Sequence, residues 1–357
     1  MRILILAPMV RMVMGLYLQR LLDEAKVAGA DVKVIAPSHV DIQTEYPILK
    51  MGGGGKLAVA WAQINPLTFI RIAAAMLGRR YDMVHVINGE NRPMVLWILL
   101  LARLRGTRGL VTIHDPLPHP CAKLEVATYK LGLLSRRVAT EINIHDKAHL
   151  DIVKDDSGRP IHVFPLPDMS KAFARPTTLH KTQTVLFFGR MEPYKGIDNF
   201  VELGLRMRGE ARFILAGKGP IPASLLKTMA EHPDIFQVEH RYVTDDEMIE
   251  MMDRSKVALL PYHSATQSAV PPVAAARGTI PIGFAVGGLV NQLPALGGVA
   301  VTPADMDALE TAVRAGLAMS EEELLRLTLL PDPFEEAIAQ LYGQAAGSSA
   351  VVPVVID

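Results

Sequence analysis

The sequence predicts an α/β protein made of two Rossmann-like domains with parallel sheets, and three observations predict it. Short aliphatic runs of strand character alternate with amphipathic or alanine-rich helical stretches, the signature of βα units. The alternation comes in two series of similar length, separated by a proline-containing link. The 357 residues suffice for two well-buried cores.

The first series opens with a strand over Arg2–Ala7 (RILILA), a helix over Leu16–Ala28 and a strand over Asp31–Ile35. Strands follow at Met83–Val86, Leu110–Ile113 and Thr140–Ile144, with a helix over Val95–Leu104. A short strand at His162–Phe164 leads into the link. The second series places strands at Thr184–Phe188, Arg212–Leu215, Phe236–Val238 and Val257–Leu260. The expected division is an N-terminal domain over 1–176, a C-terminal domain over 177–340 and a tail over 341–357. The glycine run at 52–55 reads as a loop, either merely flexible or part of an acceptor site.

Half of the residues are apolar, and 37 Lys+Arg balance 37 Asp+Glu. That excludes a disordered chain and argues against a dedicated nucleic-acid binder. The single cysteine, Cys121, excludes a disulfide framework and a multi-cysteine zinc site, and fits a reducing compartment. The start MRILILAP offers no cleavable signal region, and the longest apolar run, Pro93–Ala102, is about half of a bilayer span. The expectation is a cytoplasmic protein that at most rests on the inner face of a membrane.

Four stretches carry candidate chemistry. Gly189-Arg190-Met191-Glu192-Pro193-Tyr194-Lys195-Gly196 follows an apolar strand, with two cations suited to anion capture outside the carboxyl ends of a parallel sheet. A solvated turn with two surface cations is the other reading. Ala216-Gly217-Lys218-Gly219-Pro220 also follows a strand, and its glycines suit either a tight turn or close approach of a ligand. From Leu260 to Gly278 a strand enters a small polar loop and then an alanine-rich helix. Its amides with the Thr266 and Ser268 hydroxyls form a phosphate cradle or an ordinary helix cap. His114, in Thr112-Ile113-His114-Asp115-Pro116, ends a strand at the expected interdomain cleft, where it orients a substrate, moves a proton or serves structure alone. His85 reads as a core histidine, and His119 and His145 carry weaker signals. Gly15 sits at the expected turn before the first helix, open to a phosphate or sugar. No paired-histidine or carboxylate motif of metal spacing appears, nor a Walker A or GxSxG sequence, so no metal and no cofactor is expected.

Taken in order, these blocks resemble the GT-B glycosyltransferases of family 4, the "group 1" retaining sugar transferases. The matching stretches are FFGRMEPYKGIDNFVE, FILAGKGP, RYVTDDEMIEMM, ALLPYHSATQSAVPPVAAARG and VGGLVNQL, with looser matches at LILAP, Gly15 and TIHDPLPHP. The resemblance implies a metal-independent hexosyltransferase that moves a sugar, with retention, from a nucleotide-diphosphate sugar to a carbohydrate or lipid-linked acceptor in polysaccharide or glycoconjugate synthesis. It implies that Arg190 and Lys195 neutralise the donor diphosphate, that His114 lies near the reacting sugar, and that Gly15 and Gly189 approach the donor phosphates. Gly217 lies on the neighbouring glycine turn. Arg241, Tyr242 and Val243 fall where the base is read by backbone groups, and Thr266, Gln267, Ser268 and Ala269 on the loop facing the donor sugar. One departure stands out: the two glutamates of most members align here with Ala265 and Val273. Thr266 or Gln267 would substitute in a subgroup that reads its donor differently. The departure equally fits a donor-inactive scaffold binding a glycan or a partner transferase. An inverting transferase or a sugar-nucleotide epimerase is the remaining alternative. Finally, seven cations against two acids between Leu101 and Val138, next to apolar WILLLA, suit either an anionic lipid surface or a buried helix with a solvated basic end.

Overall fold

The computed structural model describes residues 1–10, 13–38, 40, 42–52, 61–62, 64–116, 123–170 and 176–343, with 13 and 123–127 described by backbone alone. The glycines at 53–55, His119, Cys121 and residues 344–357 of the expected tail lie outside the described residues. The chain divides into two compact units, Met1–Pro167 joined by the chain from Pro333, and Asp168–Asp332.

Unit 1 holds strands β1 (Arg2–Leu6), β2 (Asp31–Pro37), β3 (Ile48–Met51), β4 (Met83–Val86), β5 (Arg108–Ile113), β6 (Glu141–Ile144) and β7 (Ile161–Val163). They form one sheet in the order β3-β2-β1-β4-β5-β6-β7, all neighbours parallel. Helices α1 (Val13–Val27), α2 (Pro66–Leu77), α3 (Pro93–Leu104), α4 (Lys123–Val138) and α5 (Leu150–Ser157) connect them. Strands β1 and β5, buried at all but their first residue, read as nearly continuous apolar runs. By contrast, β4 and β6 are buried at every residue and carry the hydrogen-bonded polar side chains of His85, Glu141 and Asn143.

Unit 2 repeats the plan. Strands β8 (Thr182–Phe188), β9 (Arg212–Ala216), β10 (Phe236–Glu239), β11 (Ser255–Leu260), β12 (Ile280–Phe284) and β13 (Val299–Val301) run in the order β10-β9-β8-β11-β12-β13. Helices α6 (Ile197–Arg206), α7 (Ala223–Glu231), α8 (Asp245–Arg254), α9 (Val270–Ala276), α10 (Leu289–Ala295), α11 (Met306–Ala318) and α12 (Glu321–Leu327) complete it. Helix α8 starts on a capping box in which Thr244 and Glu247 satisfy each other's backbone amides. The core gathers Phe187, Phe200, Phe213 and Phe236 around the centre of the sheet.

Three strands escape the sequence reading. β3 is a half-exposed edge, β13 has three residues, and β12 carries a proline and a glycine that argue against a strand. The domain limits also shift from 176/177 and 340 to Pro167/Asp168 and Asp332/Pro333. The reason is α13 (Pro333–Gly343), which packs on unit 1. Its Phe334 ring meets Tyr17 edge-on at 5.7 Å, Glu335 accepts from Arg20 at 3.1 Å, and the Tyr342 hydroxyl lies 2.5 Å from His85 Nδ1. Helical periodicity alone carries no record of which sheet a terminal helix covers.

Candidate functional site

In both sheets the strand order reverses at the centre, between β1 and β4 and between β8 and β11. Doubly wound sheets bind ligands outside the carboxyl ends of the strands at such points.

In unit 2, β8 leads into Gly189, Arg190 and a 3-10 turn at Pro193–Lys195, and β11 leads into Pro261–Ala269. The two exits are tied together: His263 N donates to Tyr194 O at 2.7 Å, and Asn199 Nδ2 to Pro261 O at 3.0 Å. Lys195 is only 9% exposed. Its ammonium sits 5.0 Å from the centre of the buried Tyr262 ring, and no carboxylate pairs with it among the described residues. Such a cation is stabilised by the ring and left free to meet an anion. Arg190 is different, 73% exposed and only 3.8 Å from Glu192. It is an exposed surface fork. Beneath them the backbone closes in a way only glycine permits. A Cβ on Gly189 (φ +126°) would lie 2.9 Å from Lys195 Nζ, and one on Gly217 (φ +147°) would overlap the Gly189 carbonyl.

Beside this floor, Lys218, Gly219, His240, Arg241 and Tyr242 line a cavity of about 420 Å3. His240 Nε2 donates to Gly219 O at 2.7 Å and closes one wall. Arg241 is engaged by Glu239 at 3.2 Å and Glu247 at 2.8 Å, so it shapes the cavity more than it offers free donors. Tyr242 is exposed, whereas Val243 is buried and is not among the residues lining the cavity.

The 266–269 loop is held by a residue to which the sequence reading gave no role. The Gln292 carboxamide accepts from Ser268 N at 3.1 Å and donates to Ser268 O at 2.7 Å. Gly288 N donates to Thr266 O at 3.1 Å. Ser268 is buried, and its hydroxyl accepts from Val270 N at 3.3 Å in a local turn just before the helix cap. Ala269 caps α9, and Gln267 lies between these anchored residues. Val273 is buried on α9, and neither it nor Ala265 bears a polar side chain.

In unit 1, a cavity of about 220 Å3 opens at the carboxyl ends of β1, β4 and β5, lined by residues including Asn88, Glu90, Arg92, His114, Asp115 and Arg136. His114 lies in its wall, with Nε2 2.8 Å from Ile87 O and Nδ1 3.0 Å from His145 Nε2. Burial pushes the His114 imidazole below the ordinary histidine range, opposed by the Ile87 carbonyl and the neighbouring Asp115. Burial pushes the Glu90 carboxyl up, and the Arg136 guanidinium at 3.5 Å pulls the other way. His85 is a core residue, fully buried, with Nε2 2.8 Å from Thr112 Oγ1 and burial holding it down at about 3.

Two site expectations change here. Gly15 is inside the first turn of α1, which begins at Val13, and a Cβ there would meet only Val10 Cγ1 at 3.7 Å, an ordinary contact. Nothing steric requires glycine at this position. The basic stretch is also thinner than its count. Arg136 is buried between Glu90 and Asp156, and Arg108 makes a two-pronged pair with Glu141 at 2.7 and 2.8 Å. Among the described residues no cluster of three or more His, Cys, Asp or Glu side chains suits a metal ion.

Residues 182–318, most of unit 2, match the model of the family described as glycosyl transferases group 1. Solved structures resemble the whole chain. Sucrose-phosphate synthase from Thermosynechococcus elongatus is similar at 18% identity and a TM-score of 0.64, over 96% of this chain and 97% of that one. The catalytic domain of starch synthase IV from Arabidopsis thaliana, bound to ADP and acarbose, is similar at 12% identity and a TM-score of 0.69, with coverage of 96% and 97%. The lipopolysaccharide outer core galactosyltransferase WaaB, in its apo form, is similar at 11% identity and a TM-score of 0.66, with coverage of 96% and 99%. No curated protein sequence matches. The architecture is therefore GT-B, two Rossmann-like units.

Proposed function

We propose that this chain, a GT-B protein of the group 1 glycosyltransferase type, moves a sugar from a nucleoside-diphosphate sugar to a carbohydrate or lipid-linked acceptor, with retention and without a metal. One observation carries the reading: the buried, carboxylate-free Lys195 ammonium over a glycine floor at the carboxyl end of β8. A diphosphate leaving group gathers negative charge as the glycosidic bond breaks. A cation already fixed at that point stabilises the charge without reorganising. Arg190 adds a fork that closes on the phosphate oxygens. The adjoining cavity at Lys218, His240 and Tyr242 takes the base, and the loop at Thr266, Gln267, Ser268 and Ala269 faces the sugar. The starch synthase neighbour is bound to ADP, which supports a nucleotide ligand for this fold. Unit 1 receives the acceptor at the His114 cavity.

The second reading, a donor-inactive scaffold, is favoured by Ala265 and Val273 standing where the resemblance calls for glutamates. A thermal-shift titration with UDP, GDP, ADP and dTDP separates the two. A ligand at 100 times its Kd stabilises the native state by about 2.7 kcal/mol. The expected result is a saturable shift with one nucleotide, abolished in the Arg190→Ala, Lys195→Ala double variant. No shift with any nucleotide overturns the transferase reading.

A membrane contact of unit 1 would centre on α2 and the end of α3. Trp61, Ile64, Leu67, Ile70 and Leu77 are each at least 59% exposed on and before α2. Residues 61–80 contain Arg71, Arg79 and Arg80 and no acid, with Arg79 paired to Asp31 from β2. Helix α3 adds exposed Leu100 and Leu104 beside Arg103 and Arg105, and its Trp97 Nε1 donates to Phe69 O of α2 at 3.2 Å. Apolar side chains among cations fit an anionic bilayer surface. Anionic phospholipid vesicles should retain the protein, and Leu67→Asp with Ile70→Asp should release it. Equal retention by neutral phosphatidylcholine, or no effect of the substitutions, contradicts the assignment. No described helix is long and apolar enough to cross a membrane.

A further inference from the structure

We infer that His114 and His145 share one proton and titrate as a single unit, with His145 acting as a positioning residue that sets which nitrogen of His114 faces the unit 1 cavity. The inference deepens the acceptor-side reading of that cavity and rests on it for its functional meaning.

The observation is a row of hydrogen bonds across the carboxyl ends of four adjacent strands. Ile87 follows β4, His114 follows β5, His145 follows β6 and Phe164 follows β7. Along the row, Ile87 O lies 2.8 Å from His114 Nε2, His114 Nδ1 lies 3.0 Å from His145 Nε2, and His145 Nδ1 lies 2.7 Å from Phe164 O. The two rings stack obliquely at 4.7 Å.

The proton count follows from the partners. Both ends of the row are carbonyl oxygens, which only accept, so the two outer ring nitrogens must each carry a proton. The inner contact needs a third. Two neutral imidazoles hold two protons between them. All three bonds therefore form only when the pair holds one extra proton and one positive charge. When that proton leaves, two inner lone pairs face each other at 3.0 Å or an outer bond opens. His145 is the more enclosed ring, 6% exposed, whereas His114 lines the cavity. The bond that opens is the one to Ile87. His114 then keeps its proton on Nδ1, donated to His145, and offers the Nε2 lone pair to the cavity. Uptake of one proton at Nε2 restores the complete row. An acceptor-only partner fixes the tautomer of a reacting histidine in the same way in hydrolytic triads.

The surroundings disfavour the charge on balance. Burial lowers both rings below the ordinary histidine range, His145 the further, while Asp115 beside His114 pulls both back up. From β4, buried His85 opposes the charge on His145. From α1, the neutral Tyr17 ring meets His114 at 5.2 Å and His145 at 5.7 Å, both edge-on. Asp146, next to His145, accepts from Ala148 N at 2.7 Å, and Glu90, which also lines the cavity, is paired with Arg136 at 3.5 Å.

Histidine side-chain 1H–15N spectra of the full chain from about pH 8 downward to the onset of acid unfolding test this, since burial moves the transition below the ordinary histidine range. Signals are assigned with His114→Gln and His145→Phe. The expected result is one shared midpoint for the four ring nitrogens, with one unprotonated below it and two above. In His145→Phe, His114 keeps Nε2–H on Ile87 and shows no transition over that range. Separate midpoints for the two rings overturn the inference, as does an unchanged His114 transition in His145→Phe. If that variant fails to fold, the wild-type spectra decide alone. A nucleotide titration without a shift would sink the proposed function and leave the spectra untouched, so the two failures are distinguishable.

Discussion

The two sheets share a strand order at their centres, yet their carboxyl ends are built from different materials. Unit 2 uses backbone: glycines let the chain cross itself, and a cation lies on the floor so formed. Unit 1 uses side chains: imidazoles, carboxylates and a buried guanidinium lock one another across four strands. A backbone floor keeps space and uncompensated charge available for an anionic ligand. A side-chain lattice spends its polar groups on itself and makes its geometry depend on protons. One strand order thus carries a glycine-built floor in one unit and a hydrogen-bonded side-chain wall in the other.

Acid should break the comparison most strongly. The folded His85 value of about 3 lies below its ordinary 6.5, so the unfolded chain takes up the proton first as pH falls. Unit 1 has its full His85 contribution above about pH 6.5 and loses it progressively toward pH 3, a loss on the order of several kcal/mol. Hydrogen exchange resolved by peptide should show unit 1 opening first on acidification. Unit 2 opening first would contradict the contrast. A smaller effect, of the opposite selectivity, is expected from Gly217→Ala. Overlap with the Gly189 carbonyl and the left-handed φ should cost unit 2 about 3 kcal/mol, read as an earlier urea transition of that unit alone. A change under about 0.5 kcal/mol, the level of a neutral surface substitution, would remove glycine from the argument.

The contrast also explains what the sequence made legible. The candidate site of unit 2 lies in contiguous runs, GRMEPYKG and AGKGP, and both runs fall at the carboxyl ends of strands, after β8 and β9. Missing from that reading was Gln292, whose clamp on Ser268 spans 24 residues and leaves no local pattern. Unit 1 was legible as strands, because buried parallel strands are aliphatic runs. Its site was not. His145 acquires meaning only through His114, 31 residues away, and through Phe164. Arg136 counted as a surface cation until its partners, Glu90 and Asp156, were visible. Helix α13 reads as part of the second series and folds with the first, since a covering helix is chosen by shape and by single contacts such as Tyr342 to His85.

The central claim is that the anionic ligand belongs to the backbone-built edge of unit 2. Hydrogen exchange with and without saturating nucleoside diphosphate tests it most directly. Protection should concentrate in peptides covering 188–196, 215–220, 239–243 and 261–269, and it should vanish in Lys195→Ala. Protection confined to 87–92 and 113–116 of unit 1, with unit 2 unchanged, would contradict it.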